Sequence, residues 1–185
     1  RTRTGRRIAC AHVVVAAGFE AGRFLPKRLM QLTSTFAIAS QPVPEELLWP
    51  RRSLIWETRE PYLYIRTDDN GRIIVGGEDV AVDSPLLRRF LLPQKARVLE
   101  RKFRRLFPRI PFTTEMSWAG TFSSTRDGLP LIGAFRRDPH MSFALGYGGN
   151  GITFSMIAAR ILSRALQGEA DPRAHIFSPE RPSLR

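Results

Sequence analysis

The chain has 185 residues, enough for one domain or slightly more. Hydrophobic residues make up 43% of it and charged residues 25%, which excludes a disordered, collagen-like or coiled-coil protein. No apolar run reaches the ~18 residues of a membrane span, and the single cysteine, Cys10, excludes an internal disulfide and a multi-cysteine zinc site. Because the sequence lacks an initial methionine and an apolar signal segment, we expect a piece of a longer, cytoplasmic protein.

A strong excess of positive charge raises the question of a nucleic-acid partner. The chain carries 29 Lys and Arg residues against 17 Asp and Glu residues, a net charge of +12. Nucleic-acid binding and a coding preference for arginine both produce such a bias. The densest basic segment, 97–109, also places Leu99, Phe103 and Leu106 at helical spacing. We therefore predict a helix with these three residues as its buried stripe and the arginines as its solvated face, and no nucleic-acid partner.

The first part of the chain predicts a hairpin and a buried strand. Arg1–Thr4 and Arg7–Cys10 have the pattern of two short strands joined at Gly5. In such a strand Cys10 would be a buried small thiol rather than a nucleophile. The apolar run Val13–Ala17 is typical of a parallel strand buried on both faces.

The middle of the chain predicts an antiparallel sheet. Its strands are expected at Leu32–Gln41, Leu54–Glu57, Tyr62–Thr67 and Arg72–Gly76. Asp68-Asp-Asn-Gly71 is the strongest hairpin signal in the sequence, because Asn-Gly tolerates the positive φ that such a turn needs. Side chains alternate along a strand, so Tyr64 should point away from the face that carries Leu63 and Ile65.

Helices are predicted in the second half, between further strands. One helix begins with Ser84 as its N-cap, and a second runs from Pro93 to Leu106. A third, Ile152–Gln167, is apolar almost all round and should be buried. The tail after Arg173 reads as irregular. Strands are expected at Glu115–Ser124, Leu131–Ile132 and Ser142–Leu145. The predicted fold class is α+β.

The most informative motif is the glycine-rich turn Gly146-Tyr-Gly-Gly-Asn-Gly151 between a strand and a helix. Its glycines let backbone N–H groups approach a ligand, and the helix start adds a partial positive charge. Together these features suit an anion or an electron-rich oxygen. The spacing matches neither a phosphate-binding loop nor GxGxxG. A turn that serves only tight strand–helix packing explains the motif equally well.

The sequence contains no recognisable set of residues for acid–base or nucleophilic catalysis. The histidines His12, His140 and His175 lie far apart without carboxylate or cysteine partners at metal-ligand spacing. No Gly-x-Ser-x-Gly elbow is present. A site with backbone donors and no acid–base team suits an enzyme whose cofactor performs the chemistry.

Four segments, in order, resemble the C-terminal portion of the FAD-dependent oxidoreductases related to D-amino-acid oxidase, glycine oxidase and sarcosine oxidase. They are Val13–Gly18, Tyr62–Gly77, Asp127–Gly133 and Gly146–Gly151 with its helix, and the resemblance covers nearly the whole chain. It implies an α/β remnant of the FAD-binding domain, formed by residues 1–29 and 116–185. Residues 30–115 would then form the antiparallel-sheet substrate domain.

The resemblance also implies a reaction and a set of site residues. The parent protein would oxidise an amine or amino-acid-like C–N bond of a small-molecule substrate, with hydride transfer to non-covalently bound FAD. The backbone expected to approach the flavin is that of Gly149, Asn150, Gly151 and Ile152, and the residues expected on the substrate side are Tyr64, Phe122 and Tyr147.

Two departures from the family pattern shape the expectations. The GxGxxG unit that grips the FAD pyrophosphate is absent, so an absent N-terminal segment is the expected partner. The chain alone should then be inactive and should self-associate. An arginine that binds the substrate carboxylate often follows Trp-x-Gly in that family, and here Thr121 and Phe122 follow it instead. The alternative function is a non-catalytic, basic α+β module that binds an anionic partner.

Overall fold

The computed structural model describes residues 2, 4–26, 29–59 and 61–184. Its strands are β1 (Val13–Val15), β2 (Gln31–Ser40), β3 (Ile55–Trp56), β4 (Leu63–Thr67), β5 (Ile73–Val80), β6 (Thr114–Ser124), β7 (Leu131–Phe135) and β8 (Asp138–Leu145). Its α-helices are α1 (Pro85–Leu106), α2 (Gly151–Leu166) and α3 (Ala174–Phe177). No helix in the described part of the chain combines the length and the apolar character needed to cross a bilayer.

The chain divides into two compact units. Unit 1 comprises Arg1–Gln31 and Phe122–Arg185, and unit 2 comprises Leu32–Thr121. Unit 1 combines helices with a sheet that has a parallel and an antiparallel pair, whereas unit 2 has an antiparallel meander and one long helix. The fold class is α+β, as the sequence predicts. The assignment of the two units to cofactor and substrate binding stays a prediction.

The sheet of unit 2 has the strand order β3-β4-β5-β2-β6. Its β3–β4, β4–β5 and β5–β2 pairs are antiparallel. The β4–β5 hairpin closes at the predicted turn, where the Asp68 carboxylate accepts hydrogen bonds from the backbone N–H groups of Asn70 at 2.9 Å and Arg72 at 2.8 Å. Leu63 and Ile65 are buried, which confirms the predicted alternation along β4.

Helix α1 and one face of this sheet form the core of unit 2. Leu99 and Phe103 of the helix are fully buried against sheet residues that include Phe36 and Ile38. The ring of Phe103 lies 4.6 Å from that of Phe112, which extends the core past the end of the helix. The four arginines of this segment that belong to α1 (Arg97, Arg101, Arg104 and Arg105) are exposed, whereas Lys102 is half-buried. Leu99 and Phe103 confirm two thirds of the predicted stripe.

The prediction of two separate helices in this region is wrong. One helix passes through Pro93, although proline removes a backbone hydrogen bond and crowds the preceding turn. Leu91 and Leu92, before the proline, and the residues after it pack on the same core, so burial on both sides holds the helix together. The prediction for Leu106 is also wrong, since it is 49% exposed and Phe107 packs against the core instead.

A buried carboxylate ties α1 to β5. Glu78 has a φ of 58° inside a bulge of β5, and its carboxylate accepts hydrogen bonds from Lys95 Nζ at 3.1 Å and Lys102 Nζ at 2.5 Å. Burial opposes ionisation of Glu78, but the hydrogen bonds and charges of Lys102 and Lys95 outweigh it and lower its pKa. The bulge therefore places this carboxylate where it anchors the helix.

The sheet of unit 1 has the strand order β1-β8-β7. The β1–β8 pair is parallel, with Val15 opposite Phe143, and the β7–β8 pair is antiparallel. The predicted parallel strand therefore exists, but it is only three residues long and lies at the edge of this sheet. The predicted burial of both faces is wrong, because Val13 and Val14 are 41% and 44% exposed.

Helix α2 covers β7 and β8 rather than β1. Ala158, Ile161 and Leu162 of the helix pack on Ile132 of β7 and Ala144 of β8. The prediction that this helix is buried all round is wrong, since its opposite side, including Ile152 at 88% and Met156 at 70%, is exposed. An apolar composition therefore does not mean that every face of the helix is covered by the described residues.

The two termini also differ from their predictions. Residues 4–12 form a turn at Gly5 and no strand in the described residues, and Arg1 and Arg3 of the predicted hairpin lie outside those residues. Cys10 is exposed, so the prediction of a buried thiol in a strand is wrong. The tail contains the short helix α3, whose Phe177 is buried, where the sequence predicts irregular chain.

Candidate functional site

The glycine-rich turn joins the end of β8 to the start of α2. Gly146 and Gly148 have φ values of 75° and 55°, a backbone region that glycine enters without strain. The N–H of Asn150 donates to the carbonyl of Tyr147 at 3.2 Å, which closes the turn before the helix begins. Two of the glycines are thus required by the backbone path alone.

The start of α2 presents open backbone donors. The first bond of the helix runs from Phe154 N–H to the Asn150 carbonyl at 3.0 Å, and the Asn150 side chain makes no capping hydrogen bond. The N–H groups of Gly151, Ile152 and Thr153 therefore lack a partner among the described residues. A Cβ built on Gly151 meets no atom of the described residues within 4 Å, and Ile152 and Thr153 are exposed, so the start of the helix is accessible. The turn therefore fits a group with electron-rich oxygens.

A neighbouring stretch of chain supports the turn from one side. The N–H of Gly148 donates to the carbonyl of Ser123 at 2.9 Å, and Ser124 forms a β-bridge with Tyr147. The methyl group of Thr125 lies 3.1 Å from the position of a Cβ on Gly146. Sequence reasoning missed this support, because a Ser-Ser-Thr run carries no local signal of a contact with a distant turn.

Tyr147 and Phe122, predicted on the substrate side, both lie in unit 1. Phe122 is two residues before the bridged Ser124 on β6, so it and Tyr147 stand on neighbouring segments. Burial raises the pKa of Tyr147, whose ring lies 6.5 Å from that of Phe154. The hydroxyl of Tyr147 is therefore protonated at neutral pH and can act as a hydrogen-bond donor.

Tyr64, the third predicted substrate-side residue, lies in unit 2. Its ring covers Gly76, the residue directly opposite on β5. Burial and then the charge of Asp79 raise its pKa, so its hydroxyl is also protonated at neutral pH. Asp79 Oδ1 and Thr35 Oγ1 are buried and have no hydrogen-bond partner among the described residues. The sequence pattern does not indicate that these two polar groups are buried without a partner.

The three histidines, far apart in the sequence, all lie in unit 1. His12 Nε2 lies 2.9 Å from Ser142 Oγ, and His175 Nδ1 lies 2.8 Å from the carbonyl of Pro172. His12, His140 and His175 line one surface groove of unit 1. The described residues contain no group of three or more His, Cys, Asp or Glu side chains that could hold a metal ion.

Comparison with known proteins identifies the family. A family model described as FAD dependent oxidoreductase matches residues 1–165. Gamma-glutamylputrescine oxidoreductase from Escherichia coli (strain K12) is 26% identical over 181 residues, which cover 92% of this chain. Glycine oxidase from Geobacillus kaustophilus has a similar fold, with a TM-score of 0.69, 19% identity and 92% of this chain covered. A modified fructosyl peptide oxidase from Aspergillus nidulans gives a TM-score of 0.75, 15% identity and 95% coverage.

The chain spans less than half of each of these relatives. It covers 40% of the E. coli protein, 45% of the glycine oxidase chain and 46% of the fructosyl peptide oxidase chain. The family match nevertheless extends over most of the chain, from the edge strand of unit 1 to the last turn of α2. The chain therefore belongs to the FAD-dependent oxidoreductase family that includes D-amino-acid oxidase-like enzymes.

Proposed function

We propose that the protein containing this chain oxidises a C–N bond of a small amine or amino-acid-like molecule and uses non-covalently bound FAD. The observation that carries the proposal is the open, uncapped start of α2 behind a glycine turn, in a chain of this family. Gly149 and Asn150 of this turn are exposed, so their backbone is accessible to a ligand. Unit 1 would supply this part of the cofactor site, together with Phe122 and Tyr147.

The backbone of 149–152 would hold the pyrimidine end of the flavin. When bound, FAD supplies the acceptor for the hydride that leaves the substrate. The N–H groups of Gly151 and Ile152, at the positive end of a helix, would stabilise negative charge on the oxygens of the bound flavin. These donors are fixed by the turn before any ligand binds, so no reorganisation is needed. A turn that served only to pack the strand against the helix would not need these N–H groups to be unpaired.

The residues proposed for the substrate side carry hydroxyl groups and, in unit 2, a neighbouring positive charge. Burial raises the pKa of Tyr64 and of Tyr147, so both hydroxyls are protonated at neutral pH. Thr121 and Phe122 follow the Trp-x-Gly sequence, and the Arg88 guanidinium donates a hydrogen bond to Thr121 Oγ1. Asp79 Oδ1 is buried in unit 2 and has no hydrogen-bond partner among the described residues. A guanidinium pairs with a carboxylate and a carboxylate oxygen with an amine, so unit 2 holds the kinds of group that an amine or an amino-acid-like substrate binds.

The test substitutes Gly151 in the product of the complete open reading frame. A Cβ added at Gly151 meets no atom of the described chain within 4 Å, and the φ of Gly151 lies outside the region that only glycine favours. We expect the melting temperature to stay within about 2 °C, because Val costs no more than Gly in a helix. The dissociation constant for FAD should rise about tenfold or more, equivalent to about 1.4 kcal/mol.

Ala159→Val is the matched control. Ala159 is exposed on the same helix, two turns further on, so it receives the same new side chain away from the turn. Flavin fluorescence titration should show wild-type affinity for this variant. If Gly151→Val binds FAD as tightly as the control, the turn does not face the flavin and the proposed role of 149–152 is wrong. The alternative of a basic binding module gains no support from any contact in the described residues.

A further inference from the structure

An ion pair in unit 1 lies next to the segment 123–125 that supports the glycine turn. It joins Asp127, two residues after that segment, to the buried Arg181. The Arg181 side chain is 5% exposed, and its Nε and Nη2 donate to the two carboxylate oxygens of Asp127, each at 2.6 Å. The two residues are 54 positions apart. This is the two-pronged geometry that gives arginine–carboxylate pairs their directional strength. Ser183 donates to the same carboxylate.

The remaining donors of Arg181 are directed at backbone carbonyls. Nη2 also donates to Leu129 at 2.6 Å, and Nη1 has the carbonyls of Pro130, Phe177 and Ser178 at 2.9, 3.2 and 3.1 Å. A guanidinium carries five N–H donors, so these contacts and the ion pair use its full capacity. Arg181 therefore has no donor left for an external anion, and its role is internal to the protein.

Thr125 connects the ion pair to the glycine turn. Its Oγ1 lies 2.9 Å from Asp127 Oδ1 and 2.6 Å from the Leu129 carbonyl, and its one proton can go to either. Its methyl group packs against Gly146, and Thr125 is only 4% exposed. A shift of Asp127 would therefore move Thr125, and with it the surface on which the turn rests.

We propose that Asp127 and Arg181 form a clamp that positions the flavin-facing turn 146–152 through Thr125. The clamp rests on the proposed function, since it assigns to these residues the alignment of the donors at the start of α2. Gly149 and Asn150 of the turn are exposed and the Asn150 side chain makes no capping hydrogen bond, so segment 123–125 supports the turn from one side only. Asp127 and Arg181 are positioning residues and do not touch the cofactor.

The clamp is tested with conservative variants in the product of the complete open reading frame. Arg181→Lys keeps the charge and removes the two-pronged geometry, and Thr125→Val keeps the methyl group against Gly146 and removes the hydroxyl. The matched control is Asp171→Asn, because Asp171 is another buried carboxylate that pairs with an arginine, Arg173, at 2.9 and 3.0 Å. All variants are compared under conditions where each is fully folded by circular dichroism.

Two readouts separate positioning from general stability. We expect Arg181→Lys and Thr125→Val to raise the FAD dissociation constant about tenfold and to shift the flavin absorption bands, because small displacements of aligned donors carry large costs. The control should lose stability but keep the affinity within twofold and the spectrum unchanged. Equal affinity and spectra in clamp variants and control would overturn the proposal.

Hydrogen exchange distinguishes a failed clamp from a failed flavin assignment. In cofactor-free protein, the hydrogen-bonded amides of the turn, those of Gly148 and Asn150, should exchange at least about fivefold faster in Thr125→Val than in wild type, because the support of the turn is loosened. If the wild-type protein binds no FAD, the proposed function is wrong while this exchange result still decides on the clamp. Unchanged exchange across 146–152 in both clamp variants would refute the clamp whatever the cofactor.

Discussion

A methyl group added at Gly76 would collide with the ring of Tyr64. An ideal Cβ at this position lies 2.1 Å from Cζ and 2.2 Å from the hydroxyl oxygen of Tyr64, which faces it across the β4–β5 pair. An aromatic ring that covers a cross-strand glycine compensates for the weak strand preference of glycine. Gly76→Ala must displace the ring, at about 1–3 kcal/mol for an overpacked site. Removing a strand glycine returns about 0.5–1 kcal/mol, so we expect a net loss near 1 kcal/mol.

A double-mutant cycle isolates the collision from the backbone effect. In a Tyr64→Ala background no ring stands over Gly76, so Gly76→Ala should stabilise the protein by about 0.5–1 kcal/mol. The expected coupling is therefore about 1–3 kcal/mol, measured as the difference between the two effects in urea unfolding. An equal effect of Gly76→Ala in both backgrounds would show that the ring does not rest on this glycine. If Tyr64 contacts the substrate, Gly76→Ala should also raise KM in the product of the complete open reading frame.

Three further predictions follow from charge and from the edge strand. In urea titrations at pH 7, Glu78→Gln should lower the free energy of unfolding by about 2 kcal/mol, because two lysines lose a charged partner. The control Glu115→Gln removes a more exposed ion pair, with Arg72, and should cost under about 1 kcal/mol. Since the folded-state pKa of Glu78 is lowered, its contribution is complete above the unfolded value of 4.5 and is lost as pH falls through the folded-state pKa. The difference in stability between wild type and Glu78→Gln should therefore shrink as the solution is acidified below pH 4.5; a constant difference would contradict this. The 185-residue chain by itself should bind FAD weakly or not at all, and it should elute from gel filtration as a self-associated species. Val14→Lys on the edge strand should reduce this self-association. A yellow monomer with one FAD per chain would contradict both expectations.

Local signals in the sequence predicted much of unit 2. The Asp-Asn-Gly turn, the alternation of Leu63 and Ile65 with Tyr64, and the Ser84 cap each depend on residues within a few positions. Such signals act before any tertiary contact forms, so they can be read without a structure. Even the helix cap is weak, with Leu87 N–H 3.4 Å from the Ser84 hydroxyl oxygen, and the helix depends more on its buried face.

Features set by distant contacts escaped prediction. Pro93 lies inside a helix because residues on both sides of it pack on the core. The residues near Pro93 in the sequence do not indicate that packing. Arg181 and Asp127 form an ion pair although they are 54 positions apart, and neither lies in a sequence pattern that predicts this contact. The exposure of Val13 depends on how many strands flank it, which an apolar run does not specify.

Three of the four glycines of the turn, Gly146, Gly148 and Gly151, differ in what requires them. Gly146 and Gly148 are explained by the chain itself, because both have positive φ and Gly146 also lies against Thr125. Gly151 has neither constraint, since its φ is ordinary for a side chain and a Cβ would meet nothing within 4 Å. Neither backbone conformation nor packing among the described residues therefore requires glycine at position 151. The proposed function would explain it, because a side chain at this position would stand beside the donors that we assign to the flavin.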